Sequence, residues 1–485
     1  MGNRSNIKSV GNPTTGQNVG SGAGVFKGKN TASNLQFRTL SGAVVSGDTL
    51  IITGGTGGGG GIGWSNLVGG STVAGCGTLA SGGTALCNTF YGVCAGVSNT
   101  NGNSNIAVGF RALNSNTTGS HNIAVGCGTL NNNLIGNFNI ANGSSALFNS
   151  TGSDNIGIGY GALYNNNAGC NIAIGRQALR SNDTGGHNIA NGFQALYNNT
   201  GGNFNIASGA YALYNNTVGS DNIAFGVEAL CGNFNGISNF AAGCQSLYSN
   251  YSGNSNIAIG LCSLNKNIGG CNNLAFGYAV LYENISGNNN IGLGRNTLGQ
   301  NKIGRNNIAI GDSSLGTNKT GNDNVAIGCQ VLYSNSGASC NVGIGYNALR
   351  YNTDGELNVA VGYVALQNNT TGYANLALGT AALCCNTSGQ YNIALGVSAL
   401  RKNSIGSFNN AIGGNALQCN TGGSFNNAFG YTALNCNTTG EDNIAIGSGA
   451  LLMNKYGNRN VAIGCSTMFY NTGGTENVAI GGLAL

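Results

Sequence analysis

The residues that most often carry enzyme chemistry are few in this chain and are scattered along it. Among 485 residues there are two histidines, 13 acidic residues and 16 cysteines. The histidines, His121 and His187, lie far apart in the chain. A catalytic triad, a carboxylate pair or a zinc site needs such groups to converge. No spacing of that kind occurs, so the sequence predicts a protein that is not an enzyme, with no catalytic residue, cofactor or metal.

The cysteines also lack the spacing of a disulfide framework or a metal site. They fall at irregular places without C-x-x-C pairs, and Cys384 and Cys385 are adjacent. We interpret them as free thiols that act as small apolar side chains. Cys419 and Cys436 occupy the same position in successive copies of the repeat described below. If they stack at the strand spacing, their Cβ atoms lie about 4.8 Å apart, slightly beyond comfortable disulfide geometry.

The composition points to an ordered but repetitive body. Only 6% of the residues are charged, 87 are glycine and one is proline, yet 41% are apolar. A disordered chain usually combines low hydrophobicity with high charge. The formal charge of +5 over 485 residues is too low a charge density for a nucleic-acid-binding surface. No apolar run is long enough to cross a membrane. We therefore expect neither nucleic acid nor membrane insertion.

One motif accounts for most of the chain. The segment NIAVGFRALNSNTTGSH, which starts at Asn105, recurs as a 17-residue repeat up to Asn477, apart from two shorter steps around Asn155. Two degenerate copies, at Ser71 and Asn88, precede it. The unit is N-[IVL]-A-x-G-x-x-A-L-x-x-N-x-x-G-x-x. We call its first asparagine the anchor and number it position 0.

A repeat this short predicts a parallel β-solenoid in which each unit forms one coil. The segment NIAIG reads as a short strand, the following glycine as a corner, ALxxN as a second short strand and NTTG as a turn. Ile106 and Val108 are expected in the core. About 25 coils stacked at about 4.8 Å give a rod on the order of 120 Å long. The fold class is thus an all-β parallel β-solenoid built from this repeat.

Position 2 accepts only alanine or glycine in the well-formed repeats. It points away from the apolar residues on either side of it. A solvent-exposed face would accept larger polar residues, so we expect something to pack closely against this one. A closed homotrimer is the simplest partner, although another strand of the same coil would also explain the pattern. The small face between subunits is represented by Ala107, Ala124, Ala141, Gly157 and Ala173.

Asparagine recurs at positions 0 and 11, and stacked amides can hydrogen-bond from coil to coil. We therefore predict a structural ladder that includes Asn105, Asn122, Asn139, Asn116 and Asn133. Asn116 and Asn437 also begin N-x-T sequons, and glycan attachment is the alternative. On the strand, the pairs Asn410 with Asn427 and Asn191 with Ser208 lie one coil apart.

Tyrosines form a possible recognition surface. Those that follow the leucine of the motif are Tyr164, Tyr197, Tyr214, Tyr248, Tyr282 and Tyr333. A stripe of aromatic side chains on a rod can contact sugars. The structural alternative is that these tyrosines pack along the outer edge or between subunits.

The motif NIAIGxxALxxNTTG resembles repeats of tail-fibre and fibre proteins from phages and large DNA viruses. It is also similar to the head repeats of trimeric autotransporter adhesins. The likeness covers residues 71–485 and implies a left-handed β-roll that forms trimers. The chain shows neither the export signal nor the membrane anchor expected of an autotransporter, which favours the viral type. The alternative functions are a cellular surface adhesin and, less favoured, a polysaccharide depolymerase.

The first part of the chain has a different texture. We interpret residues 1–52 as a small β-rich attachment or capping domain with strands near 24–27, 35–39 and 49–52, followed by a glycine-rich linker over 53–70. It carries four of the five net positive charges. We expect it to dock the homotrimer on a capsid or tail baseplate protein. The predicted function is a virion-surface fibre, made in the host cytoplasm, whose 71–485 shaft reaches a host glycan or receptor.

Overall fold

The fold is described from a computed structural model, which covers residues 43–45, 50–52, 72–74 and 85–484. Most of the predicted attachment domain and linker lies outside the described residues. The strand expected near 49–52 is observed as Leu50–Ile52, which pairs antiparallel with Ala43–Val45. In the described part of the chain no helix is long and apolar enough to cross a bilayer.

The described residues form an all-β structure dominated by a parallel β-solenoid of about 23 turns. In chain order the strands are β1 Ala43–Val45, β2 Leu50–Ile52, β3 Thr72–Ala74, β4 Thr89–Tyr91, β5 Ile106–Val108, β6 Ile123–Val125, β7 Ile140–Asn142, β8 Asn149–Ser150, β9 Ile156–Ile158, β10 Asn165–Asn166, β11 Ile172–Ile174, β12 Ile189–Asn191, β13 Ile206–Ser208, β14 Ile223–Phe225, β15 Phe240–Ala242, β16 Ile257–Ile259, β17 Leu274–Phe276, β18 Ile291–Leu293, β19 Ile308–Ile310, β20 Val325–Ile327, β21 Val342–Ile344, β22 Val359–Val361, β23 Leu376–Leu378, β24 Ile393–Leu395, β25 Asn410–Ile412, β26 Asn427–Phe429, β27 Ile444–Ile446, β28 Val461–Ile463 and β29 Val478–Ile480.

Successive coils stack in register. Each three-residue strand pairs in parallel with the equivalent strand of the next coil, so that Ile106 faces Ile123, Ala107 faces Ala124 and Val108 faces Val125. The same register continues to the pairing of β28 with β29. Every repeat position therefore forms a column along the rod, and the period seen in the sequence becomes a set of parallel columns in space.

The strands are oriented opposite to the sequence interpretation. The position-2 side chains are fully buried inside their own coil, whereas Ile106 is 40% exposed. The small face that we assigned to contacts between subunits (Ala107, Ala124, Ala141, Gly157 and Ala173) is therefore interior to the single chain, as the alternative of packing within the coil allowed. The isoleucines and valines expected in the core line the outside of the sheet.

Internal volume explains why position 2 must be small. It packs against the buried residues at positions 7 and 8, which are usually alanine and leucine. Where valine replaces the alanine at position 7, glycine stands at position 2 of the next coil. A Cβ built on Gly292 would lie 2.5 Å from Val280 Cγ1, and one on Gly343 would lie 2.5 Å from Val331 Cγ1. The paired substitutions hold the core volume constant.

The rest of the coil is built from turns. The predicted second strand over ALxxN is wrong for most coils, because the leucines adopt left-handed backbone conformations, as at Leu113 with φ of 53°. The glycine at position 4 is the predicted corner: Gly260 has φ of +125°, and a Cβ there would lie 2.3 Å from the carbonyl oxygen of Gly277. Both the conformation and the close approach of the next coil require glycine.

The two shortened repeats occupy neighbouring coils. Each lacks one residue in the turn after position 11, at Thr151 and Asn167. In these two coils alone among the described ones, a second pair of short strands forms, β8 with β10, with Asn149 opposite Asn165. The shortened turns stack on each other, and each also contacts a full-length neighbour: the N–H of Asn167 donates to the carbonyl oxygen of Asp183 at 3.0 Å.

Candidate functional site

The anchor asparagines form a continuous buried ladder, as predicted. The Asn122 side-chain nitrogen donates to Asn105 Oδ1 at 3.1 Å and to the carbonyl oxygen of Gly136 at 2.9 Å. The backbone N–H of Asn122 also donates to Asn105 Oδ1, at 2.9 Å. Asn139 repeats this pattern on Asn122. Each anchor thus closes its own coil and joins that coil to the previous one.

A second ladder runs beside it at position 11. The Asn133 side-chain nitrogen donates to Asn116 Oδ1 at 3.1 Å and to the Gly136 carbonyl at 3.0 Å. The two ladders therefore meet at one glycine carbonyl in each coil. Ser150 is the exception at this position, where the nearest amide, Asn166 Nδ2, lies at 3.5 Å. Because buried amides must be satisfied, these ladders explain why asparagine recurs.

The asparagines of the two N-x-T sequons are buried, which decides between the ladder and glycan attachment. Asn116 and Asn437 are fully buried, and the side-chain nitrogen of each donates to a neighbouring coil and to a glycine carbonyl. A glycan would need that nitrogen free and exposed to solvent. In this folded structure the two positions serve the ladder and are closed to glycosylation.

The outward face of the main sheet is a long apolar surface, which we call the Ile/Val face and define by positions 1 and 3. From Ile223 to Leu395 no polar residue stands at either position. With strands about 10 Å long and about 23 coils stacked at about 4.8 Å, the whole face, polar interruptions included, covers on the order of 1,100 Å², and the uninterrupted stretch is about half of that. The largest apolar patch on an ordinary monomer is about 300–600 Å².

A few polar residues interrupt the Ile/Val face, and some of them satisfy each other. Asn410 and Asn427 lie on adjacent coils, and Asn410 Nδ2 donates to Asn427 Oδ1 at 2.7 Å. Asn191 and Ser208 are directly opposite each other in the sheet. The interruptions also mark particular heights along an otherwise repetitive surface.

Aromatic side chains stack in columns along the rod. His121 stacks on Phe138 with ring centroids 4.9 Å apart, and His187 stacks on Phe204 at 5.0 Å. The two histidines are therefore separate members of similar stacks. Among the predicted tyrosines, Tyr197 stacks on Tyr214 at 5.2 Å. Burial and the neighbouring Tyr197 raise the pKa of the Tyr214 hydroxyl. Stacked rings cover each other's faces and leave mainly their edges for a ligand.

Three of the predicted tyrosines belong to one column that contains an arginine. The column runs Phe148, Tyr164, Arg180, Tyr197 and Tyr214, one residue per coil. The Arg180 guanidinium carbon lies 5.1 Å from the Tyr164 ring centroid and 5.7 Å from that of Tyr197. Its Nη1 donates to the Tyr197 hydroxyl at 2.8 Å. We call this set of five residues the first column.

A shorter column lies on the same coils at position 5. The Arg176 guanidinium carbon lies 5.8 Å from the Tyr160 ring centroid and 5.9 Å from that of Phe193. We call these three residues the second column. Tyr211 contacts both columns edge-on, at 5.2 Å from Phe193 and 5.7 Å from Tyr214. Sequence reasoning found the tyrosines and missed both arginines, although the one-repeat spacing of Arg180 and Tyr197 was readable.

An open furrow of about 550 Å³ begins at residues that follow members of the first column in the chain. It is lined by polar side chains and two stacked rings: Ser181, Asn198, Thr200, Asn215, Thr217, Gly232, Phe234 and Tyr251. Ser181, Asn198 and Asn215 directly follow Arg180, Tyr197 and Tyr214 in the chain. The furrow and the first column thus share the coils of Arg180, Tyr197 and Tyr214.

The other predicted tyrosines lie outside this cluster. Tyr282 is contacted by Lys266 Nζ, 4.9 Å from the ring centroid. Tyr248 lies near Cys231 and Glu228, which together with burial raise the pKa of its hydroxyl. The Tyr333 ring lies against Gly316, where a Cβ would come within 2.9 Å of it. The structure therefore brings together only Tyr164, Tyr197 and Tyr214 of the six.

The described cysteines from Cys94 to Cys465, including Cys419 and Cys436, are free thiols. Burial, with a smaller contribution from Glu228, raises the pKa of the Cys231 thiol to about 11. No cluster of histidine, cysteine and acidic side chains suited to a metal ion occurs among the residues that the structure describes.

The scan against protein-family models finds no matching family, and the search of curated proteins finds no match. The two surfaces of the molecule that bear on function are the Ile/Val face and the arginine-containing columns.

Proposed function

We propose that this chain is the shaft of a virion or phage-tail fibre, a parallel homotrimer that projects from the particle towards the host surface. The solenoid is an elongated, fibre-like protein of about 23 turns. The observation that carries the proposal is the Ile/Val face, which runs along the shaft with a few polar interruptions and is exposed or partly exposed in the single chain. The resemblance of the motif to viral fibre repeats supports the assignment to a virus particle.

The size of the Ile/Val face supports self-association. A standard protein interface buries about 800 Å² on each partner. In a trimer the face of about 1,100 Å² is divided between two neighbours, about 550 Å² each, so a chain buries more than this standard area only in total; the face is also more apolar than an average surface. Because each coil presents the same pair of apolar columns, a second copy of the chain offers a matching surface over the full length.

The polar interruptions favour copies that run parallel and in register. A rotation axis along the rod brings each coil opposite the same coil of its partners. Asn410 and Asn427 then meet their own equivalents, as do Asn191 and Ser208. An antiparallel pair with full overlap would instead place Asn191, Ser208 and Asn410 opposite apolar coils and leave their polar groups unmatched.

Light scattering and negative-stain imaging of the full chain test the proposal. A trimer has three times the chain mass of 48.6 kDa and appears as a thin rod with a shaft of about 110 Å. A monomer of 48.6 kDa would contradict self-association, and a dimer would contradict the trimer.

A triple variant tests the face itself. Ile257→Asp, Ile308→Asp and Val359→Asp place charges at three heights on the Ile/Val face. We expect this variant to be monomeric with its β-sheet circular dichroism retained, because the outward side chains are not part of the coil interior.

The matched control adds the same three charges away from the face. Asn215→Asp, Gln300→Asp and Ser334→Asp lie at position 10 of their coils, and we expect this variant to keep the wild-type mass. Equal dissociation of both variants would assign the effect to charge and not to the face.

Immunogold labelling of purified particles from the source virus tests the assignment to a fibre. We expect label on projections outside the capsid or tail. Label confined to infected-cell fractions that lack particles would contradict the virion role and leave the trimer measurement unaffected.

A further inference from the structure

We propose that the two arginine-containing columns and the adjacent furrow form a binding site for an acidic polysaccharide. The inference rests on the proposed attachment role and names the class of host molecule that this part of the shaft contacts. The site lies on neighbouring coils and comprises Arg176, Arg180, the aromatic residues stacked on them and the furrow beside Asn198 and Asn215.

Unpaired positive charge is the first observation. Three ion pairs occur among the described residues, and they join Lys266 to Glu283, Arg295 to Asp312 and Arg459 to Glu476. Neither Arg176 nor Arg180 belongs to one of these pairs. Arg176 is exposed and Arg180 partly exposed, and neither guanidinium has a carboxylate within ion-pair distance among the described residues.

Aromatic stacking holds these two charges in place. Each guanidinium lies between rings of the coil before and the coil after, at 5.1–5.9 Å from the centroids. Because neighbouring rings already restrict each arginine, less side-chain entropy is lost when a ligand binds. Arg180 Nη1 is used by the Tyr197 hydroxyl, and the other guanidinium N–H groups remain for a ligand. Those groups match the paired oxygens of a carboxylate or a sulfate.

The polar surroundings suit sugar hydroxyls. Between the columns, Gln194 Nε2 donates to Gln177 Oε1 at 2.8 Å. On the other side, the furrow offers the amides of Asn198 and Asn215, which share one hydrogen bond of 3.2 Å. Amides and hydroxyls beside aromatic edges can donate to and accept from a sugar, and the furrow runs along several coils as a chain-like ligand requires.

The charge pattern favours a polysaccharide over a nucleic acid. Nucleic-acid surfaces carry many basic residues that follow a phosphate backbone. Here two arginines stand on one coil, and the carboxylate of Asp183 lies on the same coil, where it accepts a hydrogen bond of 2.7 Å from Asn167. A ligand with widely spaced anionic groups fits this arrangement better than one with a charge at every residue.

The test uses the full chain and three defined polymers: polygalacturonate, which carries carboxylates, dextran sulfate, which carries sulfates, and neutral dextran. We expect binding to at least one acidic polymer in biolayer interferometry and none to neutral dextran. The two acidic arms identify the anionic group. Absence of binding to both acidic polymers, or equal binding to neutral dextran, would overturn the inference.

Paired variants separate the site from general charge. Arg176→Gln with Arg180→Gln is expected to weaken binding at least about tenfold, which corresponds to about 1.4 kcal/mol. The control is Arg401→Gln with Lys402→Gln, which removes the same charge. Arg401 occupies the same column position as Arg180 but has Cys384 and Gln418 as column neighbours. An equal loss in both double variants would overturn the assignment to this site.

Further measurements distinguish the site from the fold and from the fibre. Tyr197→Phe keeps the ring and removes only the hydroxyl that Arg180 contacts, so we expect a smaller loss than for the double variant with unchanged thermal unfolding. Light scattering on the same samples reports assembly. A monomeric chain that binds would contradict the fibre but not the site, and a trimeric rod that fails to bind would contradict the site but not the fibre.

Discussion

Asn256 tests the anchor ladder at a coil in the middle of the shaft. Its side chain is fully buried. Asn256 Oδ1 accepts from the backbone N–H of Asn273 at 3.0 Å and from the Asn273 side chain at 3.1 Å. Asn256 Nδ2 donates to Asn239 Oδ1 at 3.1 Å and to the Gly270 carbonyl at 2.7 Å. Asn256→Ala removes all four hydrogen bonds.

The destabilisation expected for Asn256→Ala follows from what each former hydrogen-bond partner retains. The Gly270 carbonyl keeps the Asn267 amide at 2.9 Å, and the Asn273 side chain keeps the Gly287 carbonyl at 2.8 Å. Asn239 Oδ1 keeps the backbone N–H of residue 256 at 3.0 Å. The buried N–H of Asn273 is left without this acceptor, at a cost of about 1–3 kcal/mol. With the cavity left by the amide, we expect about 2–4 kcal/mol in total.

Hydrogen exchange, detected by mass spectrometry, measures the local loss of stability in the Asn256→Ala variant. A local method suits a repeat rod because its unfolding need not be two-state. A loss of about 2 kcal/mol or more accelerates exchange in the coils around 256–273 by about 30-fold or more. The control is Asn215→Ala, an exposed asparagine whose Oδ1 accepts one bond from Asn198. It should change stability by less than about 0.5 kcal/mol. Wild-type exchange around Asn273 in the Asn256 variant would refute the ladder argument.

Three further outcomes are expected. Gly260→Ala should lower the thermal unfolding temperature, because a Cβ meets the Gly277 carbonyl at 2.3 Å and φ is +125°, whereas Gly269→Ala, with Ser252 Oγ 3.5 Å away, should not. Ala309→Ile should lower the free energy of unfolding in denaturant by about 1–3 kcal/mol, because it overpacks the buried position. Ile308→Ala should leave the coil stable and weaken assembly in light scattering. If Ile308→Ala destabilised the coil and Ala309→Ile did not, the strand would have the orientation expected from hydropathy. At pH 8, iodoacetamide should label Cys231 more slowly than exposed Cys127, since a pKa of about 11 leaves little thiolate; equal labelling by mass spectrometry would contradict that shift.

The period and the ladder were predictable because stacking turns sequence identity directly into contact. Asn105 and Asn122 recur one period apart, and once coils stack in register their amides must meet. The corner glycine was readable for the same reason. Such inferences need only the repeat and the parallel register, and both are visible in the sequence.

The orientation of the strand was not predictable from hydropathy alone. Ile106 and Val108 are the most apolar residues of the unit, and the usual rule places them inside. In this narrow coil Leu113 already fills the interior, so only Ala107 fits between the strand and the turns. The signal that resolves the ambiguity is the pairing of Val280 with Gly292 and of Val331 with Gly343, which links position 2 to the interior.

The arginine-containing columns can be recognised in the sequence only by comparing the same repeat position in three successive coils. Arg180 and Tyr197 are one full repeat apart, whereas Tyr164 and Arg180 are separated by one of the shortened repeats. The shortened coil shifts the spacing and hides the column from a fixed period. The structure restores the alignment because the missing residue lies after position 11, beyond the column. Local deletions therefore have to be located before columns can be read across them.

The two asparagine ladders share a direction. In each, the side-chain nitrogen of a later coil donates to the oxygen of the coil before it, as from Asn122 to Asn105 and from Asn133 to Asn116. In these side-chain ladders a completed coil presents acceptors to the segment that follows it in the chain, whereas backbone hydrogen bonds run in both directions, as from the N–H of Ile106 to the carbonyl oxygen of Asn122. We therefore expect the coils to close in order from the amino-terminal end during synthesis, because each new repeat can pair with the coil formed before it.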